Sequence, residues 1–179
     1  MTKSLLIATL LGLTAHSALA MDASEYRKLS AEQALQQAHQ WHRSGDASVK
    51  VLPRQIDTEF ANGEKVSIPT ERHLLSIAPF VNQTHPCTFH VPTGCQGELV
   101  DAQMHVMVKD LATGELVHNT MVRTQHDGFI DFWMPKDGRY EFMFHYGDLM
   151  ASEVLSTDAQ SRTCITNMQL TKTDHKHHH

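Results

Sequence analysis

Gln103-Met104-His105-Val106-Met107-Val108-Lys109 alternates without a break. Met104, Val106 and Val108 fall on one face of an extended segment and Gln103, His105, Met107 and Lys109 on the other, which is the period-two pattern of a half-buried strand. Working outward, Asp110 to Gly114 carries turn residues and Glu115 to Thr124 returns the chain. Asp127-Gly128 precedes an extended stretch from Phe129 to Met134, and Lys136-Asp137-Gly138 precedes another from Arg139 to Tyr146. Tyr140, Phe142, Phe144 and Tyr146 share one face of that segment, and a last strand is expected near Thr163 to Leu170. Five or more short strands at this spacing predict an antiparallel β-sandwich-like domain over residues 71–171, a barrel being the other closure the pattern allows.

Upstream the period changes. Ser30-Ala31-Glu32-Gln33 reads as a capping box with Leu29 as its staple, and Ala31, Ala34, Leu35, Ala38 and Trp41 recur at helical spacing until Gly45. His39 and His42 sit three apart on this helix and are expected as solvated residues flanking Trp41, because a pair without a third ligand binds metal weakly. Short extended segments at Val49 to Leu52 and Gln55 to Phe60, an Asn62-Gly63 turn and a return strand from Glu64 to Ile68 form a hairpin. Residues 21–70 are therefore expected as a small helix-plus-hairpin subdomain, joined through Pro69 to Arg72 to the larger unit. The fold class is mostly β, and α+β overall.

The chain has 179 residues, 41% apolar and 20% charged, within the globular range. Its formal charge of −5 and its lack of a basic run exclude an electrostatic nucleic-acid binder. Lys3, the apolar Leu5 to Leu13 and Ala18-Leu19-Ala20 form a signal peptide over residues 1–20, cleaved after Ala20. The apolar stretch is too short for a membrane span, so an exported protein without a membrane anchor is expected. The biased segment 172–179 is a His-rich tail of native or added origin.

What remains unusual is 14 His, 9 Met and three Cys. In an oxidising compartment three thiols cannot all pair within one chain. Cys87 and Cys95 lie eight apart in His85-Pro86-Cys87-Thr88-Phe89-His90-Val91-Pro92-Thr93-Gly94-Cys95-Gln96-Gly97-Glu98-Leu99, a segment bent by prolines and glycines, and Cys164 arrives from a distant strand. Two readings stay open. A disulfide between Cys87 and Cys95 would close a nine-residue loop, worth about 2.6 kcal/mol, with Cys164 a buried spectator. Alternatively three thiolates hold one soft ion. Cu(I) suits three thiolates, whereas zinc would recruit His85 or His90 as a fourth ligand. The states can also alternate with redox poise.

His-Pro-Cys-Thr-Phe-His…Thr-Gly-Cys-Gln-Gly-Glu-Leu, the Asp127-Gly128-Phe129 turn with Trp133-Met134-Pro135, and Thr163-Cys164-Ile165-Thr166-Asn167-Met168-Gln169-Leu170 together resemble the CueP family of periplasmic copper-binding proteins. The resemblance runs over roughly residues 50 to 171 and is weak across the N-terminal helix. It implies copper sequestration, copper tolerance and delivery to a periplasmic cuproenzyme such as an apo Cu,Zn superoxide dismutase. It also implies that Cys87, Cys95 and Cys164 bind the metal, with His85 and His90 as second-sphere or transient ligands. Thiol-driven reduction of a transient Cu(II) would consume the site, so a periplasmic thiol reductase or disulfide isomerase is an expected partner. Oligomeric state, a homodimer included, is left open.

Two other classes compete: a disulfide-stapled interaction domain, and a thiol redox protein. The second lacks the Cys-x-x-Cys at a helix start that such enzymes use, and no hydrolase constellation is present. The metal-binding reading therefore carries no catalytic residues. Met104 and Met168 are expected as core filler, with Met168 sharing a strand face with Cys164. His105, His118, His126 and His145 are expected to be scattered, and exposed or locally hydrogen-bonded.

Overall fold

The computed structural model describes residues 21–172; the expected signal peptide and residues 173–179 lie outside the described residues. A short α1 (Ala23–Tyr26), not foreseen from the sequence, starts at Asp22, whose carboxylate accepts the Glu25 N–H. The capping box forms as expected at the start of α2 (Ala31–Gln40): Ser30 Oγ accepts the Gln33 N–H while Gln33 Oε1 accepts the Ser30 N–H. Its apolar stripe packs on a three-stranded sheet, β1 (Ala47–Val51), β2 (Gln55–Phe60) and β3 (Lys65–Pro69), all antiparallel. Tyr26, Trp41 and Phe60 meet at ring separations of 5.3–5.6 Å in this first core.

Two further sheets share a second core. One has the order β10-β4-β7, from β10 (Cys164–Ile165), β4 (His73–Ile77) and β7 (Ile130–Met134). The other has the order β11-β9-β8-β5-β6, from β11 (Thr171–Lys172), β9 (Leu149–Ser156), β8 (Arg139–Tyr146), β5 (Gln103–Asp110) and β6 (Leu116–Arg123). Met104, Val106, Val108, Phe142 and Phe144 face Leu75, Ile77, Phe132 and Met134 across it. Every residue of β4 is buried because the strand serves both cores, with Leu74 turned to the first and Leu75 and Ile77 to the second. The chain is mostly β with largely antiparallel sheets; β10 beside β4 is a parallel pair.

Two details differ from expectation. Strand β9 follows the Gly147 turn and was hidden because Glu153 occupies an inward register position opposite Phe142. The expected strand from Thr163 to Leu170 shrinks to the two residues of β10. Consequently Met168 and Cys164 do not share a face: Met168 joins the sheet core, and Cys164 lies in a separate cluster with Ala78 and Phe129.

Candidate metal centre

The segment from His85 to Leu99 forms an irregular loop lying across one end of the β10-β4-β7 sheet. Its backbone is tied down at several points. Val51 N–H donates to the His90 carbonyl at 2.8 Å, His90 N–H to Thr163 Oγ1 at 3.0 Å, and Thr163 Oγ1 in turn to the Val51 carbonyl at 2.6 Å. The N–H groups of Thr163 and Cys164 both donate to the Thr88 carbonyl, which brings Cys164 beneath the loop. A local turn, with the Gly94 and Cys95 N–H groups on the Val91 carbonyl, aims Cys95 at Cys87. Glycine closes the far end: a Cβ on Gly97 would meet the Gly128 carbonyl oxygen at 2.8 Å, and Gly128 itself has φ +81°.

All three sulfurs converge, together with two histidines. Cys87 and Cys164 are disulfide-bonded, with Cα atoms 5.6 Å apart, and Cys95 is free. The Cys87–Cys95 bridge weighed from spacing is therefore corrected: sequence proximity favoured the partner eight residues away, but β10 places Cys164 nearer. Cys95 Sγ still lies 3.8 Å from Cys87 Sγ. Donor atoms of His85, Cys87 and Cys95 fall within 4.8 Å of one another, as do those of His90, Cys95 and Cys164. The first set is half-buried, and a shallow depression lined by His85, Val91, Gly94, Cys95 and Gln96 opens onto it. In the second, His90 and Cys164 have no exposure.

His90 differs from an ordinary core histidine. Both ring nitrogens are buried without a hydrogen-bond partner, and the ring packs on Phe129 at 4.5 Å. Burial pushes its pKa down to about 4, leaving a neutral imidazole with a lone pair. Orphaned nitrogens of this kind are costly unless something binds them, and the sulfurs beside them form a soft donor set, so the residues present fit a soft metal ion. Burial also pushes the Cys95 thiol above its ordinary range; a backbone hydrogen bond at Val91 partly offsets this, and Asp127 adds to it.

Behind the centre lies a polar clamp that sequence reasoning missed. His39 is buried, not solvated, with Nε2 2.8 Å from Asp131 Oδ2 and Nδ1 3.3 Å from Asp127 Oδ2, the second an ion-pair contact without an aligned hydrogen bond. Burial opposes its charge, but the two carboxylates outweigh burial and raise its pKa to about 9. Asp131 also accepts from Gln125 at 2.8 Å and from the Ser76 hydroxyl. Burial alone would raise its pKa, yet His39, with His90 and the Ser76 hydroxyl, holds it at about 2. His42 is likewise engaged, with Nδ1 2.9 Å from the Pro92 carbonyl, and Arg43 N–H donates to the Thr93 carbonyl. The turn that follows α2 thus grips the cysteine loop, while His39 within α2 holds Asp127 and Asp131. One signal was present: His39 follows Leu35 by four residues and so lies on the apolar stripe.

A disulfide, a nearby free thiol and a partnerless imidazole gathered under one loop of a β protein have the donor set of a soft-metal-binding protein. The profile described as periplasmic copper-binding protein CueP matches residues 32–169. The chain belongs to the CueP family. The crystal structure of S.CueP is similar at a TM-score of 0.75 and 26% identity, over 85% of this chain and 100% of that one. A comparison with curated protein sequences found no match. The family match takes in α2, where the resemblance had looked weak, in keeping with the contacts of His39 and His42 to the centre.

Proposed function

We propose that this protein sequesters Cu(I) in the periplasm through the thiolates of Cys87, Cys95 and Cys164, with His90 as an inner ligand and His85 at the mouth. The reading rests above all on Cys95, held 3.8 Å from the bridged Cys87 and within reach of His90 and Cys164. Reduction of the bridge frees two further thiols at the same point. Each loses its proton on meeting copper, and an anionic site disfavours added anions while allowing exchange onto neutral His or Met ligands of a recipient. Family resemblance supports copper tolerance as the outcome and a periplasmic cuproenzyme, such as Cu,Zn superoxide dismutase, as recipient.

Arriving Cu(II) meets a stoichiometric reductant. Two thiols give up two electrons and two protons, one disulfide forms, and two Cu(II) become two Cu(I). The Cys87–Cys164 bridge is the product side of that step, and a periplasmic thiol reductase or isomerase supplies the electrons that reopen it. Export by a signal peptide cleaved after Ala20 puts the chain in that compartment. The test is anaerobic titration of the reduced protein with Cu(I) against a chromophoric Cu(I) chelator. One tightly held equivalent is expected, and it should disappear when all three cysteines are replaced by Ser; tight binding of that first equivalent in the triple variant overturns the reading.

A further inference from the structure

Two of the four histidines expected to be scattered over the β domain, His105 and His145, are cross-strand neighbours. Met121 on β6 is paired with His105 on β5, His105 with His145 on β8, and His145 with Met150 on β9. These four form one unbroken row across four strands, on the face opposite the core residues Met104, Val106, Phe142 and Phe144. One step along, Met107 is paired with Met143, so four of the nine methionines share this outer face. Neighbouring strands lie about 4.8 Å apart, and successive residues on a face about 6.8 Å apart, within the span of these long side chains. An outward sheet surface ordinarily carries Thr, charged or β-branched residues. Here the row reads Met-His-His-Met.

The separation of the two imidazoles matches a shared ion held in a near-linear N–metal–N arrangement. A ligating nitrogen sits about 2.0 Å from such a metal and about 1.1 Å from its own ring centre, so two rings on one ion have centres up to about 6.2 Å apart, the upper limit being a linear N–metal–N pair. The His105 and His145 centres are 6.2 Å apart. Asn119 Oδ1 lies 2.8 Å from His105 Nε2, which places the ring proton there and leaves Nδ1 as the free lone pair. Met121 is half-exposed, and the other three residues of the row are partly accessible. We propose that this face is a second binding site for a soft monovalent ion, Cu(I) or Ag(I), with His105 and His145 as paired donors and the thioethers of Met121 and Met150 closing the row. Two of the four ligands are thioethers, which select a soft ion such as Cu(I) or Ag(I) over zinc, and the lack of a thiolate makes the site weaker and faster to exchange than the cysteine centre.

The test uses the oxidised full chain with Cys95 alkylated by iodoacetamide, so that no thiol is free, and Ag(I) as a redox-inert probe. The Met methyl and His ring resonances are followed by NMR during titration. The expected result is that the Met121 and Met150 methyls move together with the His105 and His145 rings, while the core residues Met104 and Met134 stay put. The combined His105→Ala and His145→Ala variant should need at least about tenfold more Ag(I) for the same methyl shift. Unmoved Met121 and Met150 methyls, or equal shifts in the double variant, overturn the proposal. Because every thiol is bridged or blocked, this outcome is independent of whether the cysteines bind copper.

Discussion

The cysteine centre and the outer face of the five-stranded sheet both gather soft donors, but they are assembled in opposite ways. At the centre, donors from a loop and from β10 meet in a largely buried cluster whose backbone is held by the turn after α2, by β1 and by the Asp127 turn. On the sheet face, donors stand in register on adjacent strands and remain accessible. Burial and chain separation couple the cysteine cluster to folding, whereas donors laid on an existing sheet are nearly uncoupled from it. Changes at the centre should therefore alter stability, and the same kinds of change on the sheet face should not.

The sharpest way to break this contrast is to open the bridge. Cys87 and Cys164 are separated by 77 residues, and on the chain-entropy estimate a cross-link of that span contributes about 4.5 kcal/mol. Reduction should lower Tm by about 10 °C or more, and added Cu(I) should restore much of the loss by binding only the folded state. Thermal melts of oxidised, reduced and reduced-plus-copper protein measure both effects. A reduced protein that melts with the oxidised one would show that the centre is not a structural tie.

The polar clamp comes next. Replacing His39 by Ala leaves Asp127 and Asp131 facing each other without their shared cation, which should cost about 3–5 kcal/mol in denaturant unfolding. The same clamp sets a pH response. His39 rises from 6.5 to about 9 on folding, so its contribution is complete below pH 6.5 and fades as pH climbs through 9. Asp131 falls from 3.8 to about 2, so its contribution is complete above pH 4 and fades as pH drops toward 2. On the alkaline side stability should fall by up to about 1.4 kcal/mol per pH unit, and the His39→Ala variant should lack that slope. An unchanged slope in the variant would assign the proton to another group.

How much of this was legible depended on whether local periodicity reported the contact. Strand β5 and the aromatic face of β8 could be read because one side is buried and the other is not, and the Ser30 box marked the start of α2. The three cysteines and two histidines could be named from their motif, but not their pairing, because the parallel register of Cys164 with Ser76 is a long-range fact that no spacing encodes. His39 was misread because it was paired with His42 and no third ligand was evident; only its i+4 relation to Leu35 hinted at burial. The Met-His-His-Met row was invisible for the same reason as the disulfide. Each member comes from a different strand, and only the register of β6, β5, β8 and β9 puts them side by side.

The smallest expected effect compares one substitution in both regions. His90→Leu removes two nitrogens that have no partner and puts an apolar side chain of similar size beside Phe129. An unsatisfied buried polar group costs about 1–3 kcal/mol, so this variant should be more stable than the parent, by about 1 kcal/mol once imperfect packing is allowed for. Its Cu(I) affinity in the reduced state should nevertheless fall, by roughly tenfold if one ligand of the inner set is lost. His145→Leu, on the accessible face, should change unfolding free energy by no more than about 0.5 kcal/mol and leave the tight Cu(I) equivalent untouched. Gain of stability with loss of copper affinity is the mark of a residue kept for its ligand and not for its packing. If His90→Leu instead destabilises the protein and binds copper normally, the imidazole belongs to the core, and the thiolates must hold the ion without it.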